Sequence, residues 1–414
     1  MSCRTALTRV VILVLVMGHL SGEASRADTS SASEVIQSKM DLLASQGSLA
    51  IGDEQIRASQ ALPMFYERRG FERVWAVPGR FTELRRMIAA SADDGFVPDD
   101  YHTAVIDEIT GSGDYESNPE RIADLDILCT DAFLTLAYHV RYGKVDPERL
   151  DADWNIYDDI VEVTEMVESM EDVFDVGSTD IFEAIKDLRP SYKIYTVLSK
   201  ALVEYRTIEE EGGWPTIPDG DVLKQDVSDP RVLILRERLE ITDDLEVENP
   251  DDSLFDEDVA KGIERFQKRH GLDADGVVGK NTLAALNIPV AEKIGQIRVN
   301  LERLRWVLHD ESVTFVVVNI AGFEVFYARD EKLVWRSRVQ VGKEYRKTPV
   351  FRADMKYLVF NPTWTVPPTI LKKDMIPKTA KDPSYLDKKI IKVIDNKGQI
   401  IPAASVDWTK YLNG

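Results

Sequence analysis

Nucleophilic thiol chemistry needs an accessible cysteine thiolate and a histidine to manage its proton, and this sequence is sparing with both. Its two cysteines are Cys3 and Cys129, and its five histidines are His19, His102, His139, His270 and His309. Cys129 falls inside "LDILCTDAFLTLAYHVRYGKVDP", on or near the apolar face of a helical pattern, with no partner nearby in sequence. A buried, inert thiol is the expectation there. His139, close to the end of the same pattern, reads as a capping or packing residue and not as a base. Two other stretches echo ligand loops and fail on spacing. In "GVVGKNT" Gly276 and Gly279 are too close together for a phosphate-binding loop, and Asn281 replaces the hydroxyl that would hold magnesium. "DADG" lacks the alternating ligands and closing glutamate of a calcium loop. Both read as turns, so no metal and no cofactor are expected. Carboxylates abound, but a glycosidase needs two at a fixed separation in different environments, and no pair stands out.

Charge narrows the partners. The 414 residues carry 51 Lys+Arg against 72 Asp+Glu, a formal net charge of −21. Such a surface repels nucleic acid and anionic headgroups at long range, which excludes nucleic-acid binding. Acidic pairs such as Asp93-Asp94 and Asp251-Asp252 read as solvated surface.

The elements that must position any chemistry come in blocks. "MSCRTALTR", the apolar run Val10 to Leu20 and the small residues up to Ala27 form a secretory signal peptide over 1–27; an uncleaved anchor is the alternative. Cys3 precedes the apolar run, where a lipid-acceptor cysteine would have to follow it. Residues 28–33 read as a polar tether. From there to 225 the pattern is a helical scaffold domain, with Phe81, Leu84 and Ile88 on one face and Leu125, Leu128, Ala132, Leu136 and Val140 on another. Residues 226–290 form a compact unit of three short helices. Val232, Leu235 and Leu239 point inward in the first; Asp256 caps the second, whose stripe is Val259, Ile263 and Phe266; the third starts at Asn281 or Thr282. A return or linker helix covers 291–312. Beyond it the period becomes that of strands: "TFVVVNI", "FEVFYAR", "KLVWRSRVQVG" and "VFRADMKYLVF". "NPTWTVPPTILKKDMIPKTAKDPSYLDKK" then returns to helix and loop. The expected class is an α+β multidomain protein.

Two blocks carry a resemblance. Leu-x-x-x-Leu, then Phe255-Asp256, Val259, Phe266-Gln267, Gly271-Leu272, Asp275-Gly276-Val277, Thr282-Leu283 and Leu286-Asn287 resemble the three-helix peptidoglycan-binding domain. "VQVGKEYRKTPVF" (Val341, Gly342, Thr348, Pro349) and "FNPTWTVPPTI" (Asn361, Pro362, Trp364, Pro367, Pro368) resemble the start of the L,D-transpeptidase catalytic domain, over 313–414 with a capping insert at about 366–410. The order of blocks is similar to that of the large Gram-negative members, and "FYERRGFERVW" and "DDGFVPDDYH" in the scaffold fit the same family.

The resemblance implies a periplasmic, envelope-located enzyme acting on peptidoglycan, both glycan strands and tetrapeptide stems. A cysteine would attack the carbonyl between meso-diaminopimelate and D-alanine, and an amine would then take the acyl group. In the family the nucleophile lies in a Ser-His-Gly-Cys stretch after a partner histidine. This sequence contains neither there, so both are expected beyond Gly414, and the 414 residues alone are expected to be inactive. On the substrate side, Trp364 and Pro367 are the candidates: Trp364 either offers a flat face to a stem peptide or packs between sheet and insert. The alternative function is a wall-binding protein with a degenerate transpeptidase domain.

Overall fold

The computed structural model describes residues 20–412, apart from 78, 114, 151–153, 156–163, 165–166, 169–180, 247–251, 308–313, 331 and 344–346. Most of the expected signal peptide therefore lies outside the described residues. The described chain divides into two units, 1–352 and 353–414.

The long apolar pattern around Cys129 becomes the axis of the first unit. Helix α5 (Pro119–Tyr142) opens where the Asn118 side chain accepts from the backbone N–H of Glu120, with Pro119 at the first helical position. Gly143, at φ 89°, ends it, and a side chain there would collide with Trp306 and Glu302. Almost every residue from Ile122 to Ala137 is buried, so the helix runs through the core and not along its surface. Around it lie α1 (Leu20–Gln46), the hairpin β1 (Ala50–Ile51) and β2 (Glu54–Gln55), α2 (Ala61–Arg68), α3 (Arg80–Ala90) and α4 (Thr103–Gly111). Ile36, Met40 and Leu43 of α1, Leu84 and Ile88 of α3 and Leu128, Ala132 and Leu136 of α5 share one apolar core. The expected tether at 28–33 is corrected here: these residues belong to α1. The buried Ala32-Ile36-Met40-Leu43 stripe pins the helix to α5, and the helical backbone continues toward its N-terminus through residues that include no proline.

After the short helix α6 (Pro147–Leu150) and strand β3 (Trp154–Asn155), helix α7 (Ile181–Asp187) packs on α3 and α8 (Lys193–Glu210) follows. The three-helix block then appears as α9 (Arg231–Glu240), α10 (Glu257–Arg269) and α11 (Lys280–Leu286). Asp256 accepts from Val259 N at 2.9 Å, and Val232, Leu235, Leu239, Val259, Ile263 and Phe266 are all buried. The return helix α12 (Val290–Val307) is more than a linker. It lies against α8, and Tyr195, Leu202, Val290, Ile294 and Leu301 form a separate core between the two.

Strands β4 (Thr314–Asn319), β5 (Glu324–Arg329) and β6 (Lys332–Arg338) make an antiparallel meander in sequence order. None of the four buried apolar clusters among the described residues draws on it. The fourth expected strand is corrected: only β7 (Val350–Phe351) forms, parallel to β3, and residues 352–359 are not strand. A strand exists through its ladder, and among the described residues nothing pairs with that stretch.

The second unit holds the insert. Helix α13 (Pro368–Ile370) runs through a π turn (Leu371–Met375) into α14 (Ile376–Lys381). Pro377 explains the π turn. It has no N–H to donate to the carbonyl four residues back, and the ladder widens to Ile376 N donating to Leu371 O. Helix α15 (Tyr385–Lys388) and a hairpin of β8 (Val393–Ile394) and β9 (Ile400–Ile401) complete it, so the insert is mixed and not purely helical. Met375, Leu386 and Ala403 are its buried centre. Trp408 packs there and donates from Nε1 to Ala403 O at 2.7 Å, while Asp407 caps the turn through Thr409 N.

Candidate functional site

The motif residues of the β-rich block sit in two loops. Between β6 and β7, Gly342 N donates to Thr348 Oγ1 at 2.7 Å, so a glycine and a threonine six residues apart close the loop that Pro349 then stiffens. In the second unit Asn361 takes a left-handed backbone (φ 53°), which asparagine tolerates, directly before Pro362. Trp364 is 62% exposed, so its ring is not enclosed by packing. Pro367 is extended (ψ 144°) and exposed, and Pro368 opens α13 at its first helical position, where a missing N–H costs nothing. The second-unit stretch offers an exposed aromatic ring flanked by prolines. It offers no thiol and no imidazole, because residues 313–414 contain neither cysteine nor histidine.

Cys129 is fully buried in the first unit, and burial pushes its thiol well up from the usual range. His139 stacks on Phe96, with ring centroids 6.0 Å apart, and shares a 3.0 Å hydrogen bond with the Tyr101 hydroxyl. Burial, reinforced by Lys144, Arg57 and Arg305, lowers its pKa to about 4, so it is neutral and structural at pH 7. His270 stacks on Phe266 at 3.9 Å and is likewise lowered to about 4, chiefly by burial. His19 and His309 lie outside the described residues. No cluster that would hold a metal ion occurs among the described residues.

Sequence reading missed the buried polar networks that hold the scaffold. His102, 1% exposed, lies 2.7 Å from Glu54 Oε2 through Nδ1 and 2.7 Å from Asp131 Oδ2 through Nε2. Burial alone would lower its pKa, but Asp131 and Glu54 outweigh that and raise it. Asp131 also accepts from the backbone of Arg57 and Ala58, which fastens the chain leaving β2 to α5. One turn earlier, Asp126 accepts from the Tyr66 hydroxyl (2.7 Å) and from the backbone of Val74 and Trp75. Its carboxyl is raised by complete burial, an effect those hydrogen bonds only partly offset. The signal was present: Asp126, Thr130 and Asp131 interrupt an otherwise apolar helix. A third network centres on the buried Arg305 of α12, which donates to the Tyr195 hydroxyl (2.7 Å) and to Asp94 O and stacks over Phe96. In the three-helix block Arg238 lies 3.9 Å from the Trp214 ring and donates to Leu286 O; burial lowers it to about 10, still charged at pH 7. These groups are all satisfied by one another and act as fasteners, not reagents.

The blocks correspond to known domains. Residues 313–413 match the family described as "L,D-transpeptidase catalytic domain", 228–286 that described as "Putative peptidoglycan binding domain", and 60–202 that described as "Scaffold domain". The chain thus carries an L,D-transpeptidase catalytic-domain segment beside a peptidoglycan-binding domain and a scaffold domain, on an α+β multidomain fold. Among curated proteins it is similar to a "Putative L,D-transpeptidase" of Haemophilus influenzae, with 34% identity over 118 residues. That match covers 28% of this chain and 24% of the relative, so the alignment spans about a quarter of the relative's length. No helix among the described residues is long and apolar enough to cross a membrane.

Proposed function

We propose that this chain is part of an exported L,D-transpeptidase that cross-links peptidoglycan in the cell envelope by cysteine acyl transfer between stem peptides. The observation that carries the reading is the co-occurrence, on one chain, of a catalytic-domain segment over 313–413 and a peptidoglycan-binding domain over 228–286. In this reading the three-helix block holds glycan, and Trp364 and Pro367 present a stiff aromatic surface to the tetrapeptide stem. The thiolate and its histidine are supplied by sequence outside these 414 residues, because the only cysteine in the scaffold is buried and unactivated. The chain by itself is inactive.

A second reading rests on the lack of cysteine and histidine in the matched segment: a wall-binding protein whose transpeptidase domain has lost its chemistry. One experiment separates the two. The native gene is sequenced past the codon for Gly414, and the 414-residue chain and any longer product are incubated with tetrapeptide-bearing muropeptides while D-alanine release is followed. A longer product that releases D-alanine, beside an inert 414-residue chain, supports the first reading. A stop codon after Gly414 with retained binding to purified sacculi supports the second. Release of D-alanine by the 414-residue chain would overturn both.

A further inference from the structure

The insert reverses the charge of the protein. Residues 353–414 hold ten lysines and six aspartates, with no arginine, glutamate or histidine, so they carry +4 on a chain of −21. Three of these lysines, Lys389, Lys392 and Lys397, are exposed and form no ion pair among the described residues. They are interleaved with isoleucines that the fold leaves in solvent. Ile394 and Ile400 face each other across the β8–β9 ladder, 62% and 63% exposed, and the alternation along the strand puts Lys392 on their face. Their neighbours Val393 and Ile391 turn the other way, into the small core around Leu386.

Ile390 is the sharper anomaly. Helix α15 ends with Ile390 N donating to Asp387 O and Ile391 N donating to Leu386 O, the pattern in which the residue after the helix adopts a left-handed backbone and is usually glycine. Here that residue is a β-branched isoleucine at φ 59°, 89% exposed. A left-handed β-branched residue is strained, and this one secures no burial in return. Burial among the described residues therefore does not account for it.

We propose that the β8–β9 ribbon and the Ile390 turn form a docking surface for an anionic lipid bilayer, with Ile390, Ile394 and Ile400 entering the interface and Lys389, Lys392 and Lys397 meeting the headgroups. The occupant follows from the chemistry of the patch. Soluble carboxylates would answer the lysines and leave three isoleucines in water, and a polysaccharide would answer neither. A surface that is both anionic and apolar satisfies all six side chains. The surface does not depend on the transpeptidase reading, since it involves no substrate and no catalytic group.

The test is co-sedimentation of the full chain with vesicles of phosphatidylcholine alone and of phosphatidylcholine mixed with phosphatidylglycerol. The mixed vesicles should bind the chain more tightly. Lys389→Gln and Lys392→Gln should each weaken that binding about fivefold. Ile390→Gly should weaken it about tenfold while leaving the melting temperature unchanged or higher, because glycine relieves the turn. Ile394→Thr with Ile400→Thr keeps strand propensity and should act as Ile390→Gly does. Equal binding to both vesicles, or binding that the variants leave unaltered, overturns the proposal, as an apolar N-terminal run acting alone would give. So does patch-dependent capture by purified sacculi without vesicle binding, or patch-dependent self-association in sedimentation velocity, which would mark a wall polymer or a second copy as the occupant.

Discussion

At the scale of single residues, His102 shows how a buried group is made to hold a charge. Both ring nitrogens face carboxylate oxygens at 2.7 Å, so the imidazolium, with two N–H donors, is the form that satisfies the site. Its folded pKa is raised above the ordinary value of about 6.5. The stabilisation is then complete below about pH 6.5 and lost as pH rises through the folded value. Scaffold stability measured by urea unfolding should fall between mildly acidic and alkaline pH, and His102→Gln should be less stable at low pH and nearly flat across that range. A wild-type profile as flat as the variant's would contradict the charged assignment. Cys129 gives the opposite case, a thiol that burial keeps neutral. Iodoacetamide followed by peptide mapping should leave Cys129 unmodified in the folded chain and modify it in denaturant; labelling under native conditions would show that the α5 core opens. Removing Asp126 strands the N–H groups of Val74 and Trp75 and leaves the Tyr66 hydroxyl with Thr130 Oγ1 as its remaining partner. Asp126→Ala should cost about 3 kcal/mol or more in the same unfolding assay.

At the scale of elements, what the sequence disclosed depended on how far apart the partners are. Helices α3, α5, α9, α10 and α12 were legible from apolar spacing, and α10 from its cap as well, because each signal is local: Asp256 sits beside the N–H group it accepts from. The His102–Glu54 and Arg305–Asp94 contacts were not legible, because those partners lie 48 and 211 positions apart and no pattern announces them. The stretch 352–359 failed for a related reason. Its residue types favour a strand, but types do not supply a neighbouring strand. Of the site, Gly342, Thr348, Pro367 and Pro368 were named through a resemblance, whereas the Gly342–Thr348 hydrogen bond, the start of α13 at Pro368 and the exposure of Trp364 depend on what surrounds them. The α8–α12 pair offers an element-scale test. Arg305 joins both helices to the 3₁₀ turn at Asp94 by hydrogen bonds from a planar guanidinium. Arg305→Ala should destabilise by about 3 kcal/mol, and Arg305→Lys should recover little of it, because an ammonium cannot reproduce the fork. Full rescue by lysine would show that charge alone matters there.

At the scale of the molecule, the two units differ in charge and in how their apolar surface is used. The last 62 residues carry +4, which leaves −25 on the first 352. The first unit buries an extensive helical core, yet its β4–β6 meander leaves Val316, Val318, Leu333 and Trp335 in solvent. Directly after Arg352 the chain exposes Met355, Tyr357, Leu358, Val359 and Phe360, with no strand partner among the described residues. Exposed, unpaired backbone rich in apolar side chains is both protease-sensitive and prone to self-pairing. Brief trypsin treatment should therefore cut after Lys356 ahead of sites inside the helices, releasing a C-terminal piece that begins at Tyr357. The scaffold core should survive, because opening α5 requires breaking the Asp126 and Asp131 networks as well as its apolar packing. Protection of Lys356 would mean that 352–359 is laddered in solution, as its β-forming residues first suggested, and that the meander has an additional strand to pair with it.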